Sequence, residues 1–101
     1  MSQGYTLNLD RESQCIRVGG ELSFTTVNNV LVEMASLLEN VTSIDIDLAE
    51  VTRSDSAGLA LLIEWMRSAD KESKEIVFHN IPEQMLAIAG ASGLDEILPL
   101  Q

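Results

Sequence analysis

The chain has 101 residues, of which 46% are apolar and 22% charged, so it is long enough to fold as one domain, 1–101, around a buried core. Sixteen acidic and six basic side chains give a formal net charge of −10, which argues against direct binding to nucleic acid or anionic lipid, because an acidic surface repels both. Charged partners should therefore be basic, unless the acidity serves only to keep a small domain soluble.

Alternating apolar residues predict two paired strands at the start of the chain. Apolar side chains occupy every second position from Tyr5 to Leu9, which is typical of a half-buried strand. A polar turn follows, and residues 15–19 resume the alternation until Gly19 and Gly20 end it. We expect the two segments to form an antiparallel hairpin.

A helix is predicted after this hairpin, over about residues 25–38. Apolar residues recur there at helical spacing, and Ser23 and Thr25 are both suitable N-caps. Asn40 follows the last apolar residue of the pattern and favours a left-handed stop. The hairpin therefore leads into the first helix through a short polar segment.

A third strand and a second helix make up the middle of the chain. Strict alternation over residues 43–48 predicts the strand, with Asp45 and Asp47 on the face opposite its apolar residues. A polar loop then separates this strand from a helix that runs from Ser56 to about residue 71. Four apolar residues of the helix form an i, i+3, i+4, i+7 stripe: Leu59, Leu62, Ile63 and Met66.

The last third of the chain predicts a strand, a helix and a further short strand. Residues 76–79 form an apolar run with the composition of a strand. Pro82 suits the first turn of a helix that continues to residue 89 and that two glycines close. Residues 97–100 are a candidate final strand at a sheet edge. The alternation of strands and helices predicts an α/β fold with at least partly parallel pairing.

The cysteine count and the hydropathy pattern bear on the compartment. Cys15 is the only cysteine, so the chain cannot form an internal disulfide and a reducing compartment is expected. The amino-terminal residues lack the basic and apolar segments of a secretory signal. The longest apolar run near the centre of the chain, from Ala57 to Ile63 counting Gly58, is far too short to cross a bilayer. These features predict a cytoplasmic protein.

Three short motifs lie at the junctions of the predicted elements. The first follows the second strand, the second ends the third strand, and the third opens the second helix. They are Gly20-Glu21-Leu22, Asp47-Leu48 with Val51, and Asp55-Ser56-Ala57-Gly58-Leu59-Ala60-Leu61-Leu62. These motifs and the order of elements resemble the STAS domain family. The chain is similar to anti-sigma factor antagonists and, more closely, to the small STAS subunit of Mla-type phospholipid-transport ABC systems.

The resemblance implies a fold and two candidate functions. The fold is a STAS-like mixed sheet with an N-terminal antiparallel hairpin and with helices packed mainly on one face. The first function is a non-enzymatic interaction module that binds and supports the ATPase of a phospholipid-transport ABC complex, peripheral to the inner membrane through that partner. The alternative is an anti-sigma factor antagonist that phosphorylation of Ser56 releases from an anti-sigma factor kinase.

Individual positions divide between these two functions. Ser54 is polar where the family commonly has an apolar residue, and Ala57 stands where Ser or Gly is frequent. Ser56 matches the residue that is phosphorylated in the sigma-factor antagonists, whereas the Mla-type subunits more often carry threonine there. The apolar run that follows is more like that of the transport subunit. The motif therefore supports both functions.

Ser56 carries most of the functional hypothesis. At the start of a helix, its hydroxyl can be a phosphoacceptor, a contact for a partner or an N-cap worth about 1 kcal/mol. Spacing alone favours the cap, whereas the resemblance favours a contact surface, with which a cap is compatible. Asp55 can position that hydroxyl, bind a basic residue of a partner or cap the helix itself. Gly58 is expected to allow close approach of the helix to the sheet or to another protein.

The predicted partner-binding surface extends along the second helix. Trp65 lies near the edge of the apolar stripe, so we expect it to be partly exposed, with both a half-core position and an interface role open. Residues 21–25 are expected to adjoin this surface. The full predicted set comprises Asp55, Ser56, Ala57, Gly58, Ala60, Trp65 and Arg67.

The remaining residues do not indicate catalysis or metal binding. A nucleophilic pair of Ser56 and His79 would need an orienting carboxylate and an oxyanion site, which the spacing does not provide, so a structural role for His79 is favoured. Asp45, Asp47 and Asp55 resemble the acidic magnesium cluster of receiver domains, but no lysine ends a late strand and the chain is short for such a domain. We therefore expect no cofactor and no metal.

Overall fold

The structure, a computed structural model, describes residues 4–94. The elements in this part of the chain are β1 Tyr5–Asp10, β2 Cys15–Leu22, α1 Val27–Leu37, β3 Ser43–Ser54, α2 Ser56–Lys71, β4 Glu75–His79 and α3 Glu83–Ala91. The strands form one sheet in the order β1-β2-β3-β4, in which β1 and β2 pair antiparallel and the other neighbours pair parallel. This topology confirms the predicted α/β fold with a mixed sheet and an antiparallel hairpin at its start.

The core lies on one face of the sheet. Ile44, Ile46 and Leu48 of β3 are buried, each with no more than 2% of its surface exposed. Asp45 and Asp47 point to the opposite face, because successive side chains of a strand alternate. Buried residues of all three helices join the apolar face of the sheet in one cluster, so the helices cover that face. We call the opposite face, which carries Asp45 and Asp47, the open face.

The third strand is longer than the sequence predicts. β3 continues from its predicted end at Leu48 to Ser54, through the segment expected to be a polar loop. β2 likewise continues past its predicted end at Gly19, to Leu22. The two extensions pair in parallel as far as Leu22 opposite Ser54. The backbone N–H and C=O groups of the two strands bond to each other, and this pairing does not depend on the side chains. A polar sequence can therefore form a strand here.

The first helix begins later than expected. α1 starts at Val27, and its N-cap residue is Thr26. The expected caps, Ser23 and Thr25, instead donate hydrogen bonds to the carboxylate of Glu21. The backbone N–H groups of Thr26 and Val27 bond to the carbonyl oxygen of Ser23, and residues 24–26 form a turn ahead of the helix.

The later elements match their predictions closely. α2 begins at Ser56 and ends at Lys71, and α3 begins directly after Pro82. The candidate strand over 97–100 lies outside the described residues. Among residues 4–94, no helix is long and apolar enough to span a bilayer.

Candidate functional site

The loop between β2 and α1 and the first turn of α2 lie side by side at one end of the sheet. β2 and β3 run parallel and end together, with Leu22 opposite Ser54. The segments that follow therefore leave the sheet at the same edge, which is where parallel sheets commonly bind their ligands. We call the accessible part of this region the helix-start surface; it consists of Phe24, Asp55, Ser56, Ala57 and Ala60.

Asp55 ties the loop and the helix together. Its Oδ1 accepts hydrogen bonds from the backbone N–H of Ala57 at 2.9 Å and of Gly58 at 3.3 Å, so Asp55 is the N-cap of α2. Its Oδ2 accepts a hydrogen bond from the backbone N–H of Phe24 at 3.3 Å. One carboxylate therefore fixes both segments of the helix-start surface.

Ser56 is the first residue of α2, and its side chain is exposed. The N-cap role that spacing favoured for Ser56 belongs to Asp55, because the helix begins at Ser56 itself and not after it. The hydroxyl lies at the positive end of the helix dipole, beside backbone N–H groups that have no partner within the helix. Negative charge is stabilised at such a position, so the fold can accommodate a phosphate on this residue.

Gly58 is buried and allows α2 to pack closely against β2. A Cβ built on Gly58 would lie 2.6 Å from the carbonyl oxygen of Leu22 and 3.0 Å from Cε of Met85. The predicted close approach of the helix to the sheet is therefore confirmed. Gly58 supports the helix-start surface from beneath and is not exposed on it.

Trp65 is buried, so the expectation of a partly exposed side chain is wrong. It is 3% exposed and belongs to the apolar core. Leu31 and Ala35 of α1 line a cavity of about 300 Å³ together with Trp65, which shows that α1 covers this side of α2. The buried surface of α2 is wider than the predicted stripe of four residues. The stripe faces the sheet, whereas α1 packs against the side of α2 and buries further positions there. Trp65 therefore presents no surface to a partner in this structure.

The outer face of α2 carries the remaining residues of the predicted contact set. Ala60 and Arg67 are exposed, and Ala57 is half-buried. A groove of about 200 Å³ runs between α1 and α2 beside the two alanines. Its lining is mainly apolar and comprises Val27, Asn28, Leu31, Ala57, Ala60, Leu61 and Glu64.

The loop between β2 and α1 is fixed by its own hydroxyl groups. Ser23 Oγ and Thr25 Oγ1 both donate to the carboxylate of Glu21, the latter at 2.9 Å. These hydrogen bonds hold the pKa of Glu21 below its ordinary value. Thr26 Oγ1 donates to the backbone carbonyl of Glu21 at 2.7 Å. The polar groups of the loop are thus used to hold its shape.

Phe24 projects from this loop into solvent, a feature that the strand and helix patterns did not single out. Its side chain is 83% exposed. Its backbone N–H binds Asp55, so residues 21–25 adjoin the start of α2 as predicted. The signal in the sequence was an aromatic residue outside any apolar periodicity, between hydroxyl-bearing neighbours.

A second polar cluster lies on the open face of the sheet. His79 Nε2 and Asp45 Oδ1 are 2.7 Å apart. Asn80 Nδ2 donates to Asp47 Oδ1 at 3.1 Å. The predicted structural role of His79 fits this pairing. At a strand rise of about 3.3 Å per residue, Asp45 is roughly 30 Å from Ser54 at the end of β3, two residues before Ser56. His79 bonds to Asp45, so Ser56 and His79 lie too far apart to form a nucleophilic pair.

The open face does not form the acidic magnesium cluster considered for Asp45, Asp47 and Asp55, because β3 separates Asp55 from the other two. In the part of the chain that the structure describes, no three His, Cys, Asp or Glu side chains are grouped so that they could hold a metal ion. Burial and the negative charges of Asp47 and Asp45 raise the pKa of the Cys15 thiol. A thiol with a raised pKa is a weak nucleophile at neutral pH.

Comparisons with known proteins agree with the geometry. The family model described as "Mlab, STAS domain" matches residues 5–99. The anti-sigma-B factor antagonist of Staphylococcus epidermidis is 28% identical over 86 residues, which cover 82% of this chain and 78% of that protein. These matches indicate no enzymatic family.

Solved structures show the same fold. An anti-sigma factor antagonist from Mycobacterium paratuberculosis superposes with a TM-score of 0.80 at 18% identity, covering 99% of this chain and 87% of that chain. The Bacillus cell fate determinant SpoIIAA in its phosphorylated form gives a TM-score of 0.67 at 20% identity, covering 96% and 90% of the two chains. At these identities the likeness establishes the fold.

Proposed function

Because the chain belongs to the STAS domain family, we propose that it is a non-enzymatic, cytoplasmic binding module of the anti-sigma factor antagonist type. Its partner is an anti-sigma factor kinase that docks on the helix-start surface. Unphosphorylated Ser56 permits docking, and phosphorylation of Ser56 releases the partner. The similarity to an anti-sigma-B factor antagonist supports this class of partner.

The observation that carries the proposal is the exposed hydroxyl of Ser56 at the first position of α2. Its neighbours on the surface, Ala57 and Ala60, have small side chains, so the backbone of a partner can approach closely. The groove between α1 and α2 continues this apolar surface as far as Leu31. A neutral hydroxyl within a patch that excludes water is compatible with tight docking.

A phosphate on Ser56 would act on the interface and not on the fold. It would add about −1.5 to −2 charges beside the carboxylate of Asp55. Negative charge is favourable at the amino end of a helix, so α2 would stay formed. A docked partner would have to remove water from the new charge in an interface built around a neutral group, which is costly. Phosphorylation therefore weakens binding and leaves the domain folded.

Phosphorylation is tested by incubating the chain with ATP and a lysate of its native organism and then measuring its intact mass. We expect one phosphate on the wild-type chain and none on the Ser56→Ala variant. A phosphate on both the wild-type chain and the variant would show that a residue other than Ser56 is modified. An unmodified wild-type chain in the presence of the purified anti-sigma factor kinase would rule out the phosphorylation switch.

Docking is tested with the Ser56→Glu variant and the purified kinase in isothermal titration calorimetry. We expect affinity to fall by about tenfold or more, because a carboxylate replaces the neutral hydroxyl within the interface. The melting temperature should not fall, because an acidic residue is favourable in the first turn of a helix. Unchanged affinity would place the interface elsewhere on the molecule.

A second candidate function is the STAS subunit of an Mla-type phospholipid-transport ABC complex. The observation that favours it is the family model, whose description includes the name Mlab. Its partner is the ATPase subunit, and the protein is peripheral to the inner membrane through that partner. The same helix-start surface binds, without a kinase to modify it. Affinity purification from the native organism with mass-spectrometric identification distinguishes the two, because it recovers an ABC ATPase in one case and an anti-sigma factor kinase in the other.

A further inference from the structure

We infer that Phe24 is the apolar anchor of the docking interface and inserts into an apolar pocket of the partner that basic side chains surround. This inference rests on the proposed function and names the part of the surface that contributes most to binding. The backbone N–H of Phe24 bonds to Asp55, the residue that precedes Ser56, so the aromatic residue and the hydroxyl belong to the same surface.

Phe24 is the exposed aromatic side chain of residues 4–94, in which Tyr5, Trp65 and Phe78 are buried. Within residues 4–94, the large apolar side chains that stand out as exposed are Phe24 at 83%, Val32 at 73% and Leu86 at 37%. Leaving an aromatic ring in water forgoes the stabilisation that burial of its apolar surface would bring. Aromatic side chains also dominate the binding energy of many protein interfaces. An exposed ring of this kind is best explained by burial in a complex.

The backbone of Phe24 is held in place before any partner arrives. Its N–H donates to Oδ2 of Asp55, which also caps α2. The flanking hydroxyls of Ser23 and Thr25 are bonded to Glu21. A side chain on a loop that is already fixed loses less conformational entropy on binding than one on a flexible loop. Phe24 is therefore a preorganised contact beside Ser56.

The charges around Phe24 select the chemistry of the partner. The carboxylate of Asp55 accepts a hydrogen bond from the backbone N–H of Phe24, and the carboxylate of Glu21 accepts bonds from the hydroxyls of both chain neighbours of Phe24, Ser23 and Thr25. Arg53, opposite Glu21 in the pairing of β2 with β3, offsets part of this charge. The chain as a whole carries a formal charge of −10. A pocket rimmed by Lys or Arg complements these carboxylates, whereas an acidic rim would be repelled. A phosphate on Ser56 would instead place charge in the close-packed part of the interface, where the rim does not offset the cost of removing water from it.

The chain offers an internal control for detecting the contact. It contains two phenylalanines, Phe24 on the surface and Phe78 with 0% exposure in the core. Labelling with 4-fluorophenylalanine therefore gives one surface and one core ¹⁹F resonance, and the Phe24→Leu variant assigns them. On titration with the purified anti-sigma factor kinase, we expect the Phe24 resonance to shift and to lose its solvent isotope effect. The Phe78 resonance should stay in place.

Affinity measurements show whether the contact is an anchor. We expect Phe24→Ala to weaken binding of the kinase by about tenfold or more. The matched control is Val32→Ala, which also removes an exposed apolar side chain and should change affinity less than about threefold. Circular dichroism should show the wild-type melting temperature for both variants, because neither side chain is buried.

The outcomes separate the anchor from the proposed function. If Ser56→Glu weakens binding and Phe24→Ala does not, the function stands and the anchor is overturned. If Val32→Ala weakens binding as much as Phe24→Ala, the interface extends along α1 and Phe24 is no anchor. If the wild-type chain binds the ABC ATPase and not the kinase, the function is overturned, and the same variants test the anchor against the ATPase. Failure to bind either protein overturns both.

Discussion

Two regions of this domain each contain aspartate side chains but differ in what those carboxylates bind. On the open face, Asp45 bonds to the side chain of His79, and Asp47 bonds to the side chain of Asn80 and to the backbone N–H of Ala49, two residues along the same strand. At the helix start, the carboxylate of Asp55 bonds to backbone N–H groups of α2 and of the loop between β2 and α1. Asp55 therefore joins two separate segments of the chain, beside which Ser56 and Phe24 face solvent. Titratable residues close together are not what marks the proposed docking site.

The difference has a structural origin. The helix start lies where β2 and β3 end together, so loop, helix and sheet meet there. Gly58 brings α2 close to Leu22 of β2, which places the first turn of the helix firmly on the sheet edge. The open-face cluster lies along strands whose backbone groups are already paired. Perturbing the backbone at the helix start should therefore cost more than removing a side chain from the open face.

The largest effect is expected from Gly58→Ala. The added methyl would lie 2.6 Å from the carbonyl oxygen of Leu22, which is backbone and cannot move aside cheaply. We expect a net loss of about 1–3 kcal/mol in the free energy of unfolding, measured by urea denaturation. The ring signals of His79 on the open face should not shift in NMR spectra. If they do, the two clusters are not structurally independent.

Gly90→Ala is the matched control, because it makes the same change in another helix. A Cβ at Gly90 in α3 would meet nothing within 4 Å. We expect a gain of up to about 1 kcal/mol, since alanine is the better helix former. Equal destabilisation by both variants would contradict the account, because Gly90 has no neighbour that could play the part assigned to Leu22 at Gly58.

The next largest effect is expected when the same change, aspartate to alanine, is made at the helix start and on the open face. Asp55→Ala removes the N-cap of α2 and the acceptor of the Phe24 N–H, so we expect a loss of about 1–2 kcal/mol. Asp45→Ala removes a solvent-exposed partner of His79 and should cost less than about 1 kcal/mol. Urea denaturation of both variants at pH 7 measures the difference. A larger cost at Asp45 would reverse the ranking of the two clusters.

The smallest effect concerns acid stability on the open face. The hydrogen bond from Asn80, followed by that from the backbone N–H of Ala49, lowers the pKa of Asp47 from 3.8. A carboxyl with a lowered pKa in the folded state stabilises the fold above its unfolded pKa and loses that contribution as the pH falls through the folded value. We expect Asn80→Ala to be slightly less stable than wild type at pH 7, and the difference to shrink as the pH falls below 3.8. A difference independent of pH between 7 and 2 would show that Asp47 is not involved.

The periodicity of the sequence was sufficient to predict those elements in which burial alternates regularly along the chain. Alternation over residues 43–48 correctly separated buried isoleucines from aspartates on the open face. The start of α2 at Ser56 and its close approach at Gly58 also followed from the sequence. The contacts that set these features lie within one strand or helix, or between that element and the strand packed directly against it.

The features that were missed depend on what packs from elsewhere in the fold. The burial of Trp65 requires α1 to lie over α2, which the stripe on α2 alone does not reveal. The extension of β3 to Ser54 requires β2 to extend beside it. The exposure of Phe24 follows from the hydrogen bonds of Glu21 and Asp55, which involve residues up to 31 positions apart. Such contacts leave no periodic signal in the sequence.

The most direct test of the helix-start surface uses one thiol in each region. Cys15 lies beside Asp45 and Asp47 on the open face, and Ala60→Cys adds a second thiol on the outer face of α2. The alkylation rate of each thiol is measured by mass spectrometry with and without the purified partner, each rate being compared with its own value in the free protein. At a partner concentration of about 100 times Kd, roughly 1% of the domain is free.

We expect the partner to slow alkylation at the introduced thiol by more than about tenfold and to leave the rate at Cys15 unchanged. Protection of Cys15 with an unprotected thiol at position 60 would contradict this, because the partner would then cover the open face of the sheet and leave the start of α2 in solvent.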